Sequence, residues 1–481
     1  MMNDMILILK YSDEFAVEAA KRLRAEHIFA RIISGMTTAA QIREIAPRGI
    51  LMIGEAQSAE GVFDAEILHL GIPVLAMGHA AHMLLAAQGG ASAGVAMTQR
   101  KAMIEYGRSL LFTGVSDGER FISEALTLML PGDVQTTASA SGCTIAFENP
   151  EKKQYGVQFE LERNDPDGTA ILTNFARDIC GCNAWWTMDA AIHEAQLALD
   201  EAAARGGRAI CAVSGGVDSA VAACLAHRSF GERMTAVFVD TGLMREGEAA
   251  WVRQMYEIQG IPLLCVDRSG VILESLAGKR GMQEKSDVVL RCMHEEIERQ
   301  AAAMADADTL ILGSNYTDIL GGGSGEAEWR GCGLHVIEPL KLLFKNEICE
   351  AAKMLGMDAE LVKKKPFPAL GLGARIVGEV TPERLNAIRI ADAIFCEEIR
   401  EAGLSKKLYK YFPVLSGGAD VQEGENLVLR AVTLSGGLLQ PARLPYDLIE
   451  RTVEKILAAA PTVSRVFYDQ TPTQVGKETY Q

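Results

Sequence analysis

The chain has 481 residues, 23% charged and 48% hydrophobic, proportions that exclude a disordered, collagenous or coiled-coil protein and, at about 150 residues per domain, suggest roughly three domains. Basic residues number 47 against 63 acidic ones, a net charge of -16, so the general surface repels nucleic-acid phosphates and anionic membranes, while a local basic pocket stays compatible with it. The ten cysteines form no paired framework, Lys10 breaks the apolar run after Met1-Met2-Asn3-Asp4, and no stretch approaches the roughly 20 apolar residues of a membrane span; the expectation is a cytoplasmic protein with neither nucleic acid nor membrane as partner.

In chain order, Met5–Leu9 is a buried-strand run, followed by an amphipathic stretch from Asp13 to Glu26. Gly49–Gly54, Pro73–Met77 and Tyr155–Phe159 read as further strands with helical patterns between several of them. That alternation predicts a mostly parallel sheet covered by helices. Pro131–Gly142, rich in Ser, Thr, Gly and Ala, reads as a loop. An Ala- and Glu-rich helix, Thr187–Arg205, leads into a second α/β series with strands Ala209–Val213, Thr235–Val239, Leu263–Val266 and Leu310–Gly313. Past Lys363-Lys364-Lys365-Pro366-Phe367-Pro368 the pattern changes to a smaller α+β part. Its helices are Glu383–Gly403 and Asp447–Ala459, and its strands Leu427–Val432 and Ser464–Tyr468.

The most informative stretch is Val213-Ser214-Gly215-Gly216-Val217-Asp218-Ser219. A buried strand ends at Ser214, two glycines turn the backbone, and a helix begins near Val217. Backbone N–H groups of such a turn converge on an anion, and the helix N-terminus adds partial positive charge. Ser214 and Ser219 supply hydroxyl donors to phosphate, and Asp218 is placed to hold magnesium beside it. The Gly-Lys-Ser/Thr of a Walker A motif is absent, which disfavours γ-phosphate transfer by that machinery.

Ser214–Ser219 resembles the pyrophosphate loop of the N-type ATP pyrophosphatases, which split ATP between its α and β phosphates to activate a carbonyl oxygen as an adenylate. With it, Phe238–Leu243, Ile337–Glu347, Pro366-Phe367-Pro368, Arg375–Val380, Ala391–Ile394, Leu429–Thr433 and Ala442–Leu448 are similar, in order and spacing, to the GMP synthetase family over nearly the whole chain. The resemblance implies an α/β architecture of three parts. These are a class I glutamine amidotransferase-like domain (1–185), an adenine nucleotide α-hydrolase-like ATP pyrophosphatase domain (186–365), and a small α+β dimerisation and acceptor-binding domain (366–481). It implies ATP and Mg2+ as cofactors, XMP and ammonia as substrates, and a homodimer. Carried over residue by residue, Ser214, Gly215, Gly216, Val217, Asp218 and Ser219 would hold the pyrophosphate, with Asp218 on the metal. Val239, Asp240 and Gly313 would bind the nucleotide. Lys345 would neutralise the departing pyrophosphate, and Arg375 would add a forked contact. The other readings of these two are a solvated helix charge and a surface lid residue.

The amidotransferase-like part keeps family segments (Gly71–Leu75, Tyr155–Phe159, Phe175–Cys182) but not the family's chemistry. Glutamine hydrolysis needs a thiolate at the nucleophile elbow and a histidine to activate it. The elbow position is Gly78, the histidine position is Glu160 (the following carboxylate survives as Glu162), and residues 1–142 contain no cysteine. Glu55 stands in the oxyanion loop Gly54-Glu55-Ala56, where a carboxylate opposes a developing oxyanion. Glutaminase activity is therefore expected to be missing, with ammonia free in solution or from a separate partner. His79 and His82, three apart on a predicted helix, could bind metal but lack an evident third ligand. Cys180 and Cys182 read as packing rather than zinc ligands.

The acceptor-binding segments also depart from the family. Leu320–Gly333 replaces a longer loop with paired histidines, Ser416–Val421 replaces Arg-Ser-Val-Gly-Val-Met-Gly-Asp, and Pro472–Gln481 lacks Lys-Pro-Pro and Ile-Glu-Trp-Glu. Glu326, Glu328, Trp329, Arg330 and Cys332 become candidates for a remodelled acceptor pocket, or else are solvated loop residues. Cys332 is also a candidate sulfur carrier, although no base is evident near it. The reading is an ATP-dependent carbon–nitrogen ligase acting on XMP or a related purine-like acceptor. The alternatives are an adenylating enzyme with another nucleophile, sulfide or an amine, and a non-catalytic nucleotide-binding descendant.

Overall fold

The computed structural model describes residues 2–11, 14–54, 63–159, 166–323, 329, 331–364, 370–417, 424–435 and 438–474. The chain forms two compact units, Met1–Ala191 and Ile192–Gln481.

The first unit is built on β1 (Ile6–Lys10), β2 (Ala30–Ser34), β3 (Gly49–Gly54), β4 (Val74–Gly78), β5 (Ala91–Tyr106), β6 (Gly118–Met129), β7 (Gln135–Ala140), β8 (Cys143–Asn149) and β9 (Gln154–Val157). They form one nine-stranded sheet in the order β2-β1-β3-β4-β9-β8-β7-β5-β6. The run β2-β1-β3-β4-β9 pairs in parallel. β1 and β3 are almost entirely buried, as the continuous apolar runs require of strands covered on both faces. From β9 to β6 every pairing is antiparallel, so the sheet is not mostly parallel as expected but divided in character.

The expected loop Pro131–Gly142 is also corrected, because it contains β7. Thr137, Ala138 and Ala140 turn inward while Gln135 and Thr136 face solvent, and an antiparallel strand with one wet face does not need a Val/Ile run. Ser141 and Gly142 have φ of +50° and +79° and join paired Ala140 and Cys143. This is a two-residue hairpin turn with both central residues at positive φ.

The second unit holds a parallel sheet of β10 (Arg208–Val213), β11 (Met234–Asp240), β12 (Leu263–Asp267), β13 (Ala307–Ile311) and β14 (His335–Ile337), ordered β12-β11-β10-β13-β14. β10 is central, with Val213 beside Phe238 and Cys211 beside Ile311. Each strand's C-terminal end therefore opens on one edge, where an open α/β sheet places its ligand crevice. The helix Met282–Ala303 lies over this sheet through Ile297 and Ala301, packed with Ile210, Val237 and Leu310.

β15 (Lys410–Leu415), β16 (Glu425–Ser435), β17 (Leu438–Pro441), β18 (Val463–Tyr468) and β19 (Thr473–Gln474) form the other sheet of this unit, ordered β15-β16-β17-β19 with β18 beside β16. It is covered by the helices Pro382–Glu401 and Tyr446–Ala459. One continuous apolar cluster runs from Leu243, Ile272 and Val289 through Leu372, Ile388 and Phe395 to Leu429 and Ile456. The expected domain boundary at 365/366 lies outside the described residues.

Candidate active site

β10 ends at Val213 and the helix Val217–Phe230 starts three residues after Ser214, as the loop chemistry predicts. Gly215 has φ of +74°, and a Cβ there would meet Val252 Cγ2 at 2.6 Å, so only glycine fits. The helix starts at Gly216 with no side chain capping it, which leaves first-turn N–H groups for an anion. Ser219 Oγ accepts from Ser214 N–H at 3.2 Å and donates to Gly216 O at 3.1 Å, holding the turn shut from within. Ser214 Oγ lies 3.4 Å from Ser219 Oγ.

Asp218 projects from the first turn of this helix. The ammonium of Lys345, the first residue of the helix Lys345–Met354, donates to Asp218 Oδ2 at 2.5 Å. Asp218 Oδ1 is buried with no hydrogen-bond partner among the described residues. Burial raises the pKa of this carboxyl, Lys345 opposes the rise, and nearby Asp318 adds to it. Asp318 sits at the head of the helix Tyr316–Leu320 in a reciprocal cap. Its Oδ2 accepts from Asn315 N–H at 2.9 Å, while Asn315 Oδ1 accepts from Thr317 N–H at 2.8 Å.

A cavity of about 700 Å³ runs from this loop into the unit. Ser214, Gly216, Asp218, Ser219 and Asp318 line its polar end, and Val237, Val239, Leu290, Met293 and Ile297 its apolar end. Gly313 lies on its wall, and a Cβ there would be 2.7 Å from Ser219 N and Cα. The expected strand therefore stops at Ile311 and gives way to a glycine pressed against the phosphate loop.

The remaining sequence-predicted residues are placed as follows. Val217 is buried in the core. The Gly215 carbonyl accepts from Lys364 Nζ at 3.1 Å; Lys364 also pairs with Glu248 and lies 4.0 Å from the centre of the Trp251 ring. Asp240 accepts from Gly242 N–H at 2.9 Å and lines a neighbouring cavity of about 470 Å³ with Arg389 and Arg245. Arg375 lies in a third cavity, of about 750 Å³, with Arg245, Lys363, Lys364, Lys406 and Lys410. Its guanidinium pairs with Asp392, which also forms an ion pair with Arg245, whose Nε lies 2.7 Å from Asp392 Oδ2. Burial lowers the Arg375 pKa while Asp392 opposes that shift.

Lys364, Asp318 and Asn315 are the residues that motif reading missed. Asn315-x-x-Asp318 after a strand is a legible cap signature. Lys364 sits in a Lys-Lys-Lys-Pro run that marks only a change of composition.

In the first unit, Gly78 ends β4 with φ of 61° and ψ of -129°, ahead of the helix His79–Ala87. A Cβ at Gly78 would lie 2.6 Å from Gly54 O. His79 and His82 stand 5.9 Å apart by ring centres, and burial, with His79 adding, pushes His82 down to about 4. No group of three metal-binding side chains occurs among the described residues. Cys180 packs beneath Gly49, where a Cβ would meet its Sγ at 2.3 Å. Burial pushes both thiols up, Cys182 to about 12, which fits packing rather than reactivity.

Cys332 is half-buried against the apolar cluster of the parallel sheet, and the Leu334 N–H donates to its Sγ at 3.4 Å. Trp329 is only 6% exposed and lines the 700 Å³ cavity, so it is not a solvated loop residue. Glu55, Ala56, Glu160, Glu162, Glu326, Glu328 and Arg330 lie outside the described residues. No helix among the described residues is long and apolar enough to cross a membrane.

The family model described as NAD synthase matches residues 196–379, the segment that carries the Ser214–Ser219 turn, Lys345 and Arg375. A GMP synthase (glutamine-hydrolyzing) of Limosilactobacillus reuteri is 33% identical over 509 aligned residues, covering 97% of this chain and 96% of that protein. Those of Acetivibrio thermocellus and Caldanaerobacter subterraneus are 32% and 33% identical, each over 98% of this chain and 98% and 97% of their own lengths. The chain belongs to the GMP synthase family.

Proposed function

We propose that the chain adenylates a carbonyl oxygen of XMP or a related purine-like acceptor with ATP and displaces the adenylate with ammonia, without a glutaminase of its own. As a member of its family it is an ATP-dependent ligase. The carrying observation is the Ser214–Ser219 turn with Lys345 Nζ 2.5 Å from Asp218, at the polar end of a cavity large enough for a mononucleotide.

In the proposed reaction the acceptor oxygen attacks the α-phosphorus, the bond to the bridging oxygen of pyrophosphate breaks, and pyrophosphate leaves. Ammonia then adds at the adenylated carbon, the bond from carbon to the AMP oxygen breaks, and a proton passes to solvent. The first-turn N–H groups and Lys345 are aimed where charge grows on the leaving pyrophosphate, the kind of preorganised contact that lowers such a barrier most. Asp218, whose Oδ1 is buried with no hydrogen-bond partner among the described residues, and the nearby Asp318 carboxylate would hold a magnesium ion. When bound, the ion would neutralise phosphate charge.

The cavity around Arg375, Arg245, Lys363, Lys406 and Lys410 is the favoured acceptor site. It adjoins the phosphate loop through Lys364, and its basic lining contrasts with a chain of net charge -16. Arg375 is thus assigned to the acceptor's phosphate rather than to pyrophosphate. Lack of glutaminase activity is supported by the absence of cysteine from residues 1–142 and by the Gly54 carbonyl filling the space beside Gly78. We retain 1–185, 186–365 and 366–481 as the proposed functional division, with the last part forming a homodimer.

The test is incubation with ATP, magnesium, XMP and either ammonium or glutamine, reading AMP, pyrophosphate and GMP. GMP with ammonium but not with glutamine is expected. Pyrophosphate release only with a different acceptor would move the assignment to another substrate, and glutamine-driven GMP would refute the missing glutaminase.

A further inference from the structure

Trp329 stands in Leu320–Gly333, the segment whose sequence points to the acceptor, yet it lines the cavity of the phosphate loop. Its indole packs with Val237, Val239 and Ile297 at the apolar end, opposite Ser214 and Asp218. The His294 ring, from the helix Met282–Ala303, is centred 4.3 Å from it at 43° and lines the same cavity. Two features separate this arrangement from ordinary core filling. The tryptophan borders open space of about 700 Å³ rather than closing it. The space it borders is apolar, while the opposite end is built for phosphate.

We propose that Trp329, together with His294, is the base-contacting wall of the nucleotide pocket and sets its preference for purine over pyrimidine nucleotides. The proposal rests on the reading that this cavity takes ATP. Flat aromatic faces attract nucleobases by stacking, and the larger purine face gains more from a two-ring partner. His294 holds the indole at a fixed tilt, so little side-chain freedom remains to be lost on binding. The segment taken for acceptor recognition thereby contributes its one large aromatic to the other substrate.

Calorimetric titration of the full chain and of the Trp329→Phe and Trp329→Leu variants with ATP, CTP and inorganic pyrophosphate tests this. Both replacements keep an apolar side chain in the cluster, and only leucine removes the aromatic face. The leucine variant should bind ATP about tenfold more weakly, in the range measured for losing one stacked base, and its preference for ATP over CTP should shrink. The phenylalanine variant should stay within about threefold of the parent by retaining a stacking face. Pyrophosphate, which reaches only the loop, should bind all three proteins equally. An unchanged ATP affinity in Trp329→Leu overturns the proposal alone, and so does an equal loss of ATP and pyrophosphate. A parent protein that binds pyrophosphate but not ATP overturns the nucleotide reading together with it.

Discussion

Lys345 Nζ lies 2.5 Å from Asp218 Oδ2, joining residues 127 positions apart at the rim of the phosphate loop. The pair presents both charges that the proposed pyrophosphate departure needs, a carboxylate for the metal and an ammonium for the leaving group. Asp218→Asn should abolish magnesium-dependent ATP cleavage, and Lys345→Met should lower kcat by about 100-fold, the usual cost of one electrostatic contact to developing charge. Pyrophosphate release assays on both variants check this. Unchanged turnover in either removes that residue from the site.

The same pair predicts a pH effect. Burial raises the Asp218 pKa above that of an ordinary aspartate, and Lys345 restrains the rise. As pH falls, Asp218 takes up its proton earlier than a free carboxylate would and the proposed metal site is lost. Removing the restraint in Lys345→Met should move the acid limb of the rate profile to higher pH, and a limb that stays put or moves down contradicts the coupling.

Restoring a thiol at the elbow should not restore glutamine hydrolysis. A side chain at Gly78 meets Gly54 O at 2.6 Å from a backbone at φ of +61° and ψ of -129°, and a non-glycine residue in such a sparsely populated conformation costs roughly 1–3 kcal/mol before any clash. Gly78→Cys should therefore lower Tm and leave glutaminase at background. Measurable glutamine turnover by this variant would mean that the surrounding machinery is intact.

Arg375→Met should raise KM for the acceptor about tenfold, the scale of one charge-assisted hydrogen bond, and leave ATP affinity unchanged. Initial rates over a grid of ATP and XMP concentrations separate the two. A rise in KM for ATP instead would return Arg375 to the pyrophosphate.

Lys285 is fully buried and donates to the carbonyls of Gly373, Ile376 and Gly378 at 3.3, 2.6 and 3.1 Å, pinning the segment that carries Arg375. Burial, with Arg384 adding, lowers its pKa from 10.5 to about 8. Between those values the unfolded chain binds the proton and the folded chain does not, so this group makes stability rise with pH across that window. Its cost is present in full below about pH 8. Urea midpoints from pH 7 to 10 should rise in the parent relative to Lys285→Met, and parallel curves would show that Lys285 does not titrate as placed.

The local elements were legible where a pattern closes on itself within a few residues. The apolar runs at Ile6–Lys10 and Arg208–Val213, the glycine turn at Ser214–Gly216 and the helix beginning at Val217 each carry their own signal in periodicity or turn chemistry. β7 was misread because a half-wet antiparallel strand tolerates Ser, Thr and Gln, and its Ser141-Gly142 turn looked like part of a loop.

By itself the sequence determined the glycine turn at Ser214–Ser219, the lack of cysteine in residues 1–142 and the alternation of strands and helices, since these depend on residue identity and nearest neighbours along the chain. The tertiary structure decided which partners those residues keep. It set Lys345 on Asp218, placed Arg375 with Asp392 in a second cavity, put Trp329 on the wall of the cavity that Ser214 and Asp218 line, and set the Gly54 carbonyl in the space beside Gly78. Strand order and helix packing bring distant segments together, and no short-range pattern encodes the few ångströms that separate a charge from its counter-ion.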